Sequence, residues 1–222
     1  MPKPFLINTS KKQSIGYIIL AVLFFYFFWL MLRLTLDYIP YSTNVAFLMI
    51  KQTEVTTLPW YRYVFYTHVY TSIFILLFGF IQFFTVAGKI KKRIHRILGY
   101  MYVSLILLFS APSGLYMGMH ANGGNTAIAS FVILSIIWWA STFMAMKSIL
   151  QQNIIAHKHY MIRSYALTLS AVTLRMWKVI IVTLLHLPPM DTYKIIAWMG
   201  WVPNLVIAEL IIYYKTKQIT AK

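Results

Sequence analysis

The chain has no cysteine. Disulfides, thiolate metal sites, cysteine nucleophiles and cysteine-held iron–sulfur clusters are therefore excluded. Acid is nearly as scarce, with four Asp and Glu against 20 Lys and Arg. Charged residues fill only 11% of 222 positions, where a soluble domain carries about 25%. GxGxxG, P-loop, HExxH and GxSxG motifs are all missing, as is any catalytic triad, so familiar nucleotide and hydrolase chemistry has no support. What fills the space is 60% hydrophobic and 17% aromatic, with a mean hydropathy of +0.69. That composition excludes disorder and an ordinary water-soluble fold. The net charge of +16 is the kind seen in nucleic-acid binders. Here the basic residues alternate with long apolar runs, which assigns them to membrane orientation and leaves no nucleic-acid role.

A helix needs roughly 20 apolar residues to cross a bilayer core. Six runs qualify, at about 15–36, 64–84, 97–118, 126–146, 161–185 and 195–214. The expected fold class is all-α: a polytopic membrane protein of six transmembrane helices, with spans two to five as a four-helix core. Lys11 and Lys12 precede the first run as they would in a signal peptide. The run exceeds the usual 7–15-residue apolar region, and no small-residue cleavage site follows. It reads as a retained span.

Loop charge orients the spans. With the N-terminus inside, the inner segments hold Lys3, Lys11 and Lys12; Lys89, Lys91, Lys92, Arg93 and Arg96; Lys147, Lys158 and Arg163; and Lys215, Lys217 and Lys222. The outer segments hold only Arg33, Lys51, Arg62 and Lys194. Both termini are expected in the cytoplasm.

The six histidines fall in two layers. His95, His157 and His159 lie near the inner face, and His68, His120 and His186 near the outer face. At 100° per residue, His68, Ser72, Gly79 and Gln82 share an arc of about 80° on span two. His95, Gly99, Tyr102, Ser113 and His120 share about 60° on span three. His159, Arg163, Ser170 and Thr173 share about 80° on span five. Such polar, small-residue stripes face other helices rather than lipid. Histidines on interior faces at matched depth are what a b-type haem needs, because two imidazoles ligate the iron from opposite sides. The inner layer offers His95 with His159, or with His157, and Arg96 and Arg163 stand by for the propionates. The outer layer offers His68 with His120. Met117, Met119 and His120 also admit copper, and the alternative reading of these histidines is as interfacial hydrogen-bonding residues. His95 and His120 are 25 residues apart, roughly 37 Å of helix, so they cannot share a site.

Glu209 is a carboxylate inside span six. Intramembrane acids are usually paired or functional, and Arg163 lies at similar depth on span five. A structural ion pair between them is expected.

The stretches His95–Tyr102 (HRILGYMY), His157–Thr168 (HKHYMIRSYALT) and Trp198–Leu205 (WMGWVPNL) resemble bacterial predicted membrane proteins grouped as the DUF2306 family. His68 followed by Gly79-Phe80-Ile81-Gln82 fits the family's opening motif. The likeness covers about residues 64–212 and implies a bacterial inner-membrane protein, with no established activity to carry over. A looser likeness is to cytochrome b561-type membrane cytochromes, which carry histidines at both faces of a four-helix core. His95 and His159 match one of their ligand pairings. The other pairing fails, since span four offers Trp138 and Trp139 in place of a histidine. The reading this supports is a haem-binding electron-transfer protein, one inner haem being favoured over two, with a quinone or a redox protein as partner. Its rival is a non-redox membrane module: a small-molecule binder, transporter subunit or assembly factor. Enzymatic activity is left open.

Overall fold

Every long apolar run forms helix, as it must where lipid offers no partner for a free amide or carbonyl. The computed structural model describes residues 11–39, 41–84 and 89–220. Lys3 and Lys222, counted above among the inner charges, lie outside these residues. The helices are α1 (Lys11–Leu36), the short α2 (Ala46–Met49) and α3 (Gln52–Thr57), α4 (Tyr61–Phe84), α5 (Lys89–Leu105), α6 (Ala111–Met119), α7 (Gly124–Leu150), α8 (Ile154–Thr168), α9 (Ser170–Leu185), α10 (Pro189–Met199) and α11 (Val202–Thr220). No strand occurs among the described residues. Five helical stretches are long and apolar enough to cross a membrane, and the bent pair α8 and α9 brings the number to six. The protein is an all-α polytopic membrane protein.

The interior is a layer of large side chains from several helices: Phe80, Tyr102, Ile106, Trp138, Tyr165 and Trp201. Helix α1 stands outside this layer. It packs on α4 through Phe24, whose ring stacks on Phe80 at 3.6 Å, and through Met31, buried against Ile73 and Leu76; much of its remaining apolar surface faces outward.

Two hairpins set the register. Helix α7 buries a stripe of small residues, Ala127, Ser130, Ser141, Ala145 and Ser148, which lets neighbouring backbones approach closely. The α7–α8 turn is tight because Gln152 adopts a left-handed φ of 59° and Asn153 caps α8 by accepting from the Ala156 amide at 3.0 Å. The α4–α5 hairpin is tied near its inner end by Gln82, whose side-chain amide donates to the His95 carbonyl at 2.8 Å.

Three spans are interrupted where the sequence suggested unbroken helix. Residues Ile106–Ser110 form a π turn between α5 and α6. Pro112 explains it: proline has no N–H and its ring clashes with the carbonyl four residues back, and a one-residue widening absorbs this. The loosened carbonyls are reused. Leu107 accepts from the Trp139 indole at 3.2 Å, and Ser110 accepts from His68 Nδ1 at 2.9 Å. The fifth span bends by 40° at Leu169. The sixth span starts earlier than expected, at Pro189, and breaks around Gly200. The two breaks are clasped together. The Asn204 amide donates to the Ala166 carbonyl at 3.1 Å and to Thr173 at 2.9 Å, and the Thr173 hydroxyl donates to the Gly200 carbonyl at 2.5 Å. Non-helical backbone is tolerated at membrane depth only when satisfied in this way.

The long connection between α1 and α4 folds down as a cap. Lys51, only 1% exposed, holds it. Its ammonium donates to the Glu54 carboxylate, the His120 carbonyl and the Asn122 side chain, each at 2.5 Å. Three donors meet three acceptors, so the buried charge is fully satisfied.

Candidate functional site

Two of the family-like stretches, His95–Tyr102 and His157–Thr168, are brought together on α5 and α8. His157 and Ala145 lie about equally far from the α7–α8 turn, so the hairpin sets them side by side, and His157 Nδ1 lies 2.9 Å from the Ala145 carbonyl. A carbonyl can only accept, so Nδ1 carries the hydrogen and the lone pair of the neutral ring is on Nε2. The His157 imidazole is close enough to act electrostatically on His95. His95 Nδ1 is buried without a hydrogen-bond partner among the described residues. A buried polar atom left unpaired costs about 1–3 kcal/mol, so it calls for a partner.

His159 faces elsewhere. Its influence falls on Glu209, which is gripped by Arg163 through two bonds, Nε to Oε1 at 2.5 Å and an Nη nitrogen to Oε2 at 2.8 Å. That two-pronged ion pair joins α8 to α11 and occupies the guanidinium proposed above for a propionate. Arg163 also lies over the Tyr160 ring at 5.2 Å. The structure thus brings together Arg163 with Glu209.

Beneath the imidazoles lies a buried polar chain. The Tyr102 hydroxyl bonds Ser164 and Thr168, each at 2.9 Å. Thr142 bonds Ser164 at 2.7 Å, and the Trp138 indole donates to Thr168 at 3.1 Å. This network locks α5, α7 and α8 together, and Gly79 of α4 is pressed against the Tyr165 ring beside it. Sequence reasoning placed Tyr102 on an interior stripe but did not see the network. The signal was present as hydroxyl residues at Thr142, Ser164 and Thr168, one helical turn apart on facing helices.

His68 and His120 are separated. His68 lies at the level of Ser110 and Ser113, while His120 lies level with Tyr61, their ring centres 6.2 Å apart. Tyr61 and His68 are seven residues apart on α4, roughly 10 Å along the axis. Two imidazoles at such different depths do not meet across one iron. Each has its Nδ1 committed to a carbonyl, His68 to Ser110 and His120 to Tyr116, both at 2.9 Å. His186 caps the end of α9 in a left-handed conformation and is exposed. Among the described residues, no group of three or more His, Asp or Glu could hold a metal ion.

Helices long and apolar enough to cross a membrane and a hydroxyl-locked core define a polytopic membrane protein. Residues 65–212 match the family described as "Predicted membrane protein (DUF2306)", and the chain belongs to that family. No curated protein and no solved structure matches it.

Proposed function

We propose that the His95–His157 pair is the working site, and that it holds one b-type haem in a membrane electron-transfer protein. The observation that carries this reading is His95 Nδ1, buried and unpartnered among the described residues, next to an imidazole whose own Nδ1–H is anchored on a carbonyl. The donor chemistry supports this: imidazoles on α5 and α8 influence one another electrostatically, and one is held by a hydrogen bond of the kind that orients metal-ligating histidines. When bound, a haem supplies one-electron chemistry. The Ala145 carbonyl fixes the His157 tautomer and ring plane. Gln82 holds the backbone of His95. Arg163 is engaged with Glu209, which leaves Arg96 as the nearest cation in sequence for a propionate. The packed layer of Tyr102, Trp138 and Tyr165 excludes water beneath the site. That layer and the separation of His68 from His120 favour one haem over a two-haem relay. The charge split supports a cytoplasmic position for this face, in a membrane we take to be the bacterial inner membrane. Electrons would be exchanged there with a quinone or a docking redox protein.

The second reading, a non-redox membrane module, is favoured by the same dense packing. An absorption spectrum of the detergent-purified protein, expressed with ample haem, separates the two. The haem reading expects a Soret band and sharp reduced α and β bands, lost in both His95→Ala and His157→Ala and kept in His159→Ala. If His159→Ala loses the bands while His157→Ala keeps them, the ligand pair is His95–His159. A wild type without a Soret band leaves the non-redox module standing.

A further inference from the structure

Four acidic residues serve the whole chain. Glu54 pairs with Lys51, Glu209 with Arg163 and Asp191 with Lys194. Asp37 is the fourth, and it makes no ion pair within 4.0 Å among the described residues. It lines a groove of about 370 Å³ between α1 and α9, together with Arg33 and Arg175. The rest of the wall is apolar and includes Phe27, Leu34 and Val172. The volume lies within the range of ligand pockets, about 300–1,000 Å³.

The charges of this groove do not balance: two guanidiniums face one carboxylate. Arg175 is the more exacting of the two. It lies ten residues before the end of α9, on an exposed side of the helix. Its hydrogen bond among the described residues runs to the Ala171 carbonyl of its own helix, at 2.6 Å. A guanidinium has five N–H donors, so most of its capacity is unspent. Charged side chains at membrane depth are costly without a counter-charge. Arg33 lies three residues from the outer end of α1, roughly 5 Å along the axis, where a lipid headgroup can reach it.

We propose that this groove is a binding site for an anionic phospholipid of the outer leaflet. Its phosphate bridges Arg33 and Arg175, and an acyl chain lies on the apolar wall between α1 and α9. The phosphate supplies the missing negative charge and accepts from both guanidiniums, which suit phosphate geometrically. The apolar wall selects a lipid over a free anion, because inorganic phosphate would leave that wall uncovered.

The test is thermal unfolding of the full chain in mild detergent, with added phosphatidylglycerol, phosphatidylcholine or sodium phosphate. Phosphatidylglycerol should raise the midpoint by several degrees more than phosphatidylcholine, and phosphate alone should do nothing. Arg175→Gln and Arg33→Gln should each remove most of that difference. Lys178→Gln, on the same helix but outside the groove lining, should keep it. Should Arg175→Gln not fold, Arg33→Gln carries the test, read also as loss of co-purified phosphatidylglycerol by native mass spectrometry. Equal stabilisation by the two lipids in the wild type overturns the proposal, as does a full lipid difference in Arg33→Gln. A shift reproduced by phosphate alone overturns the lipid assignment in favour of a simple anion site.

Discussion

Replacing Gly79 by alanine sets two known effects against each other. Alanine is the better helix former, by about 0.5–1 kcal/mol in a helix interior. Propensity alone therefore predicts a more stable protein. The structure predicts the opposite. A Cβ at Gly79 would lie 2.4 Å from Cδ2 and Cε2 of the Tyr165 ring and 3.0 Å from Cε2 of Tyr102. Ordinary carbon contacts lie at roughly 3.5–4.0 Å, so about 1 Å of movement is demanded. Neither ring has room to give it. Tyr165 is 9% exposed and Tyr102 fully buried, and Tyr102 is held by Ser164 and Thr168.

Overpacking a filled core costs about 1–3 kcal/mol, and this overlap belongs at the upper end. The net loss is then about 2 kcal/mol, which for a chain of this size lowers the midpoint by roughly 4–8 °C. Thermal unfolding in detergent measures it. Gly16→Ala is the control, because a Cβ there meets nothing within 4 Å, and it should be neutral or slightly stabilising. Gly79→Ala combined with Tyr165→Leu should lose less than the sum of the two single changes. If Gly79→Ala melts at or above the wild type, the close approach of α4 to Tyr165 is wrong.

Three further outcomes are expected. Glu209 is 48% exposed on its side chain, so Glu209→Ala should cost about 1–2 kcal/mol, between the exposed and buried limits for ion pairs; strictly additive losses in Glu209→Ala with Arg163→Ala would show that the two residues do not couple. In the cap, burial works against the Glu54 carboxylate, but the Lys51 ammonium and the residue's own backbone amide hold it below its ordinary value of 4.5. A depressed carboxyl stabilises above that value and loses its contribution as pH falls below it, so the hydrogen-exchange protection of α3, corrected for the intrinsic pH dependence of exchange, should fall below about pH 4.5. Glu54→Gln should flatten this dependence, and an unchanged pH profile in that variant would refute the assignment. A reporter active only outside the cytoplasm, fused after Gly88, should be silent, and a strong signal would reverse the orientation.

The reading from sequence reached the membrane class, the all-α fold and the family because these rest on quantities carried by single segments. Apolar run length decides whether a helix can span, and a stretch such as HRILGYMY is local by nature. Even the pairing of Arg163 with Glu209 could be anticipated, since a costly intramembrane acid at the depth of a lone arginine has few other choices. Partners that depend on azimuth and hairpin register could not. His157 and His159 are two residues apart and differ by about 200° around the helix. Only the tight turn at Gln152 and Asn153 decides that His157 meets Ala145 and influences His95, while His159 turns toward Glu209. The π turn at Ile106–Ser110, the clasp of Asn204 and Thr173 over two broken spans and the burial of Lys51 are likewise tertiary. Each satisfies a backbone or charged group with a partner at least 27 residues away, and no helical period encodes such a distance. Sequence determined which segments enter the membrane, through the free energy of moving side chains into lipid; tertiary structure decided which polar groups meet there, because in a dry interior each must find whichever partner the packing brings within reach.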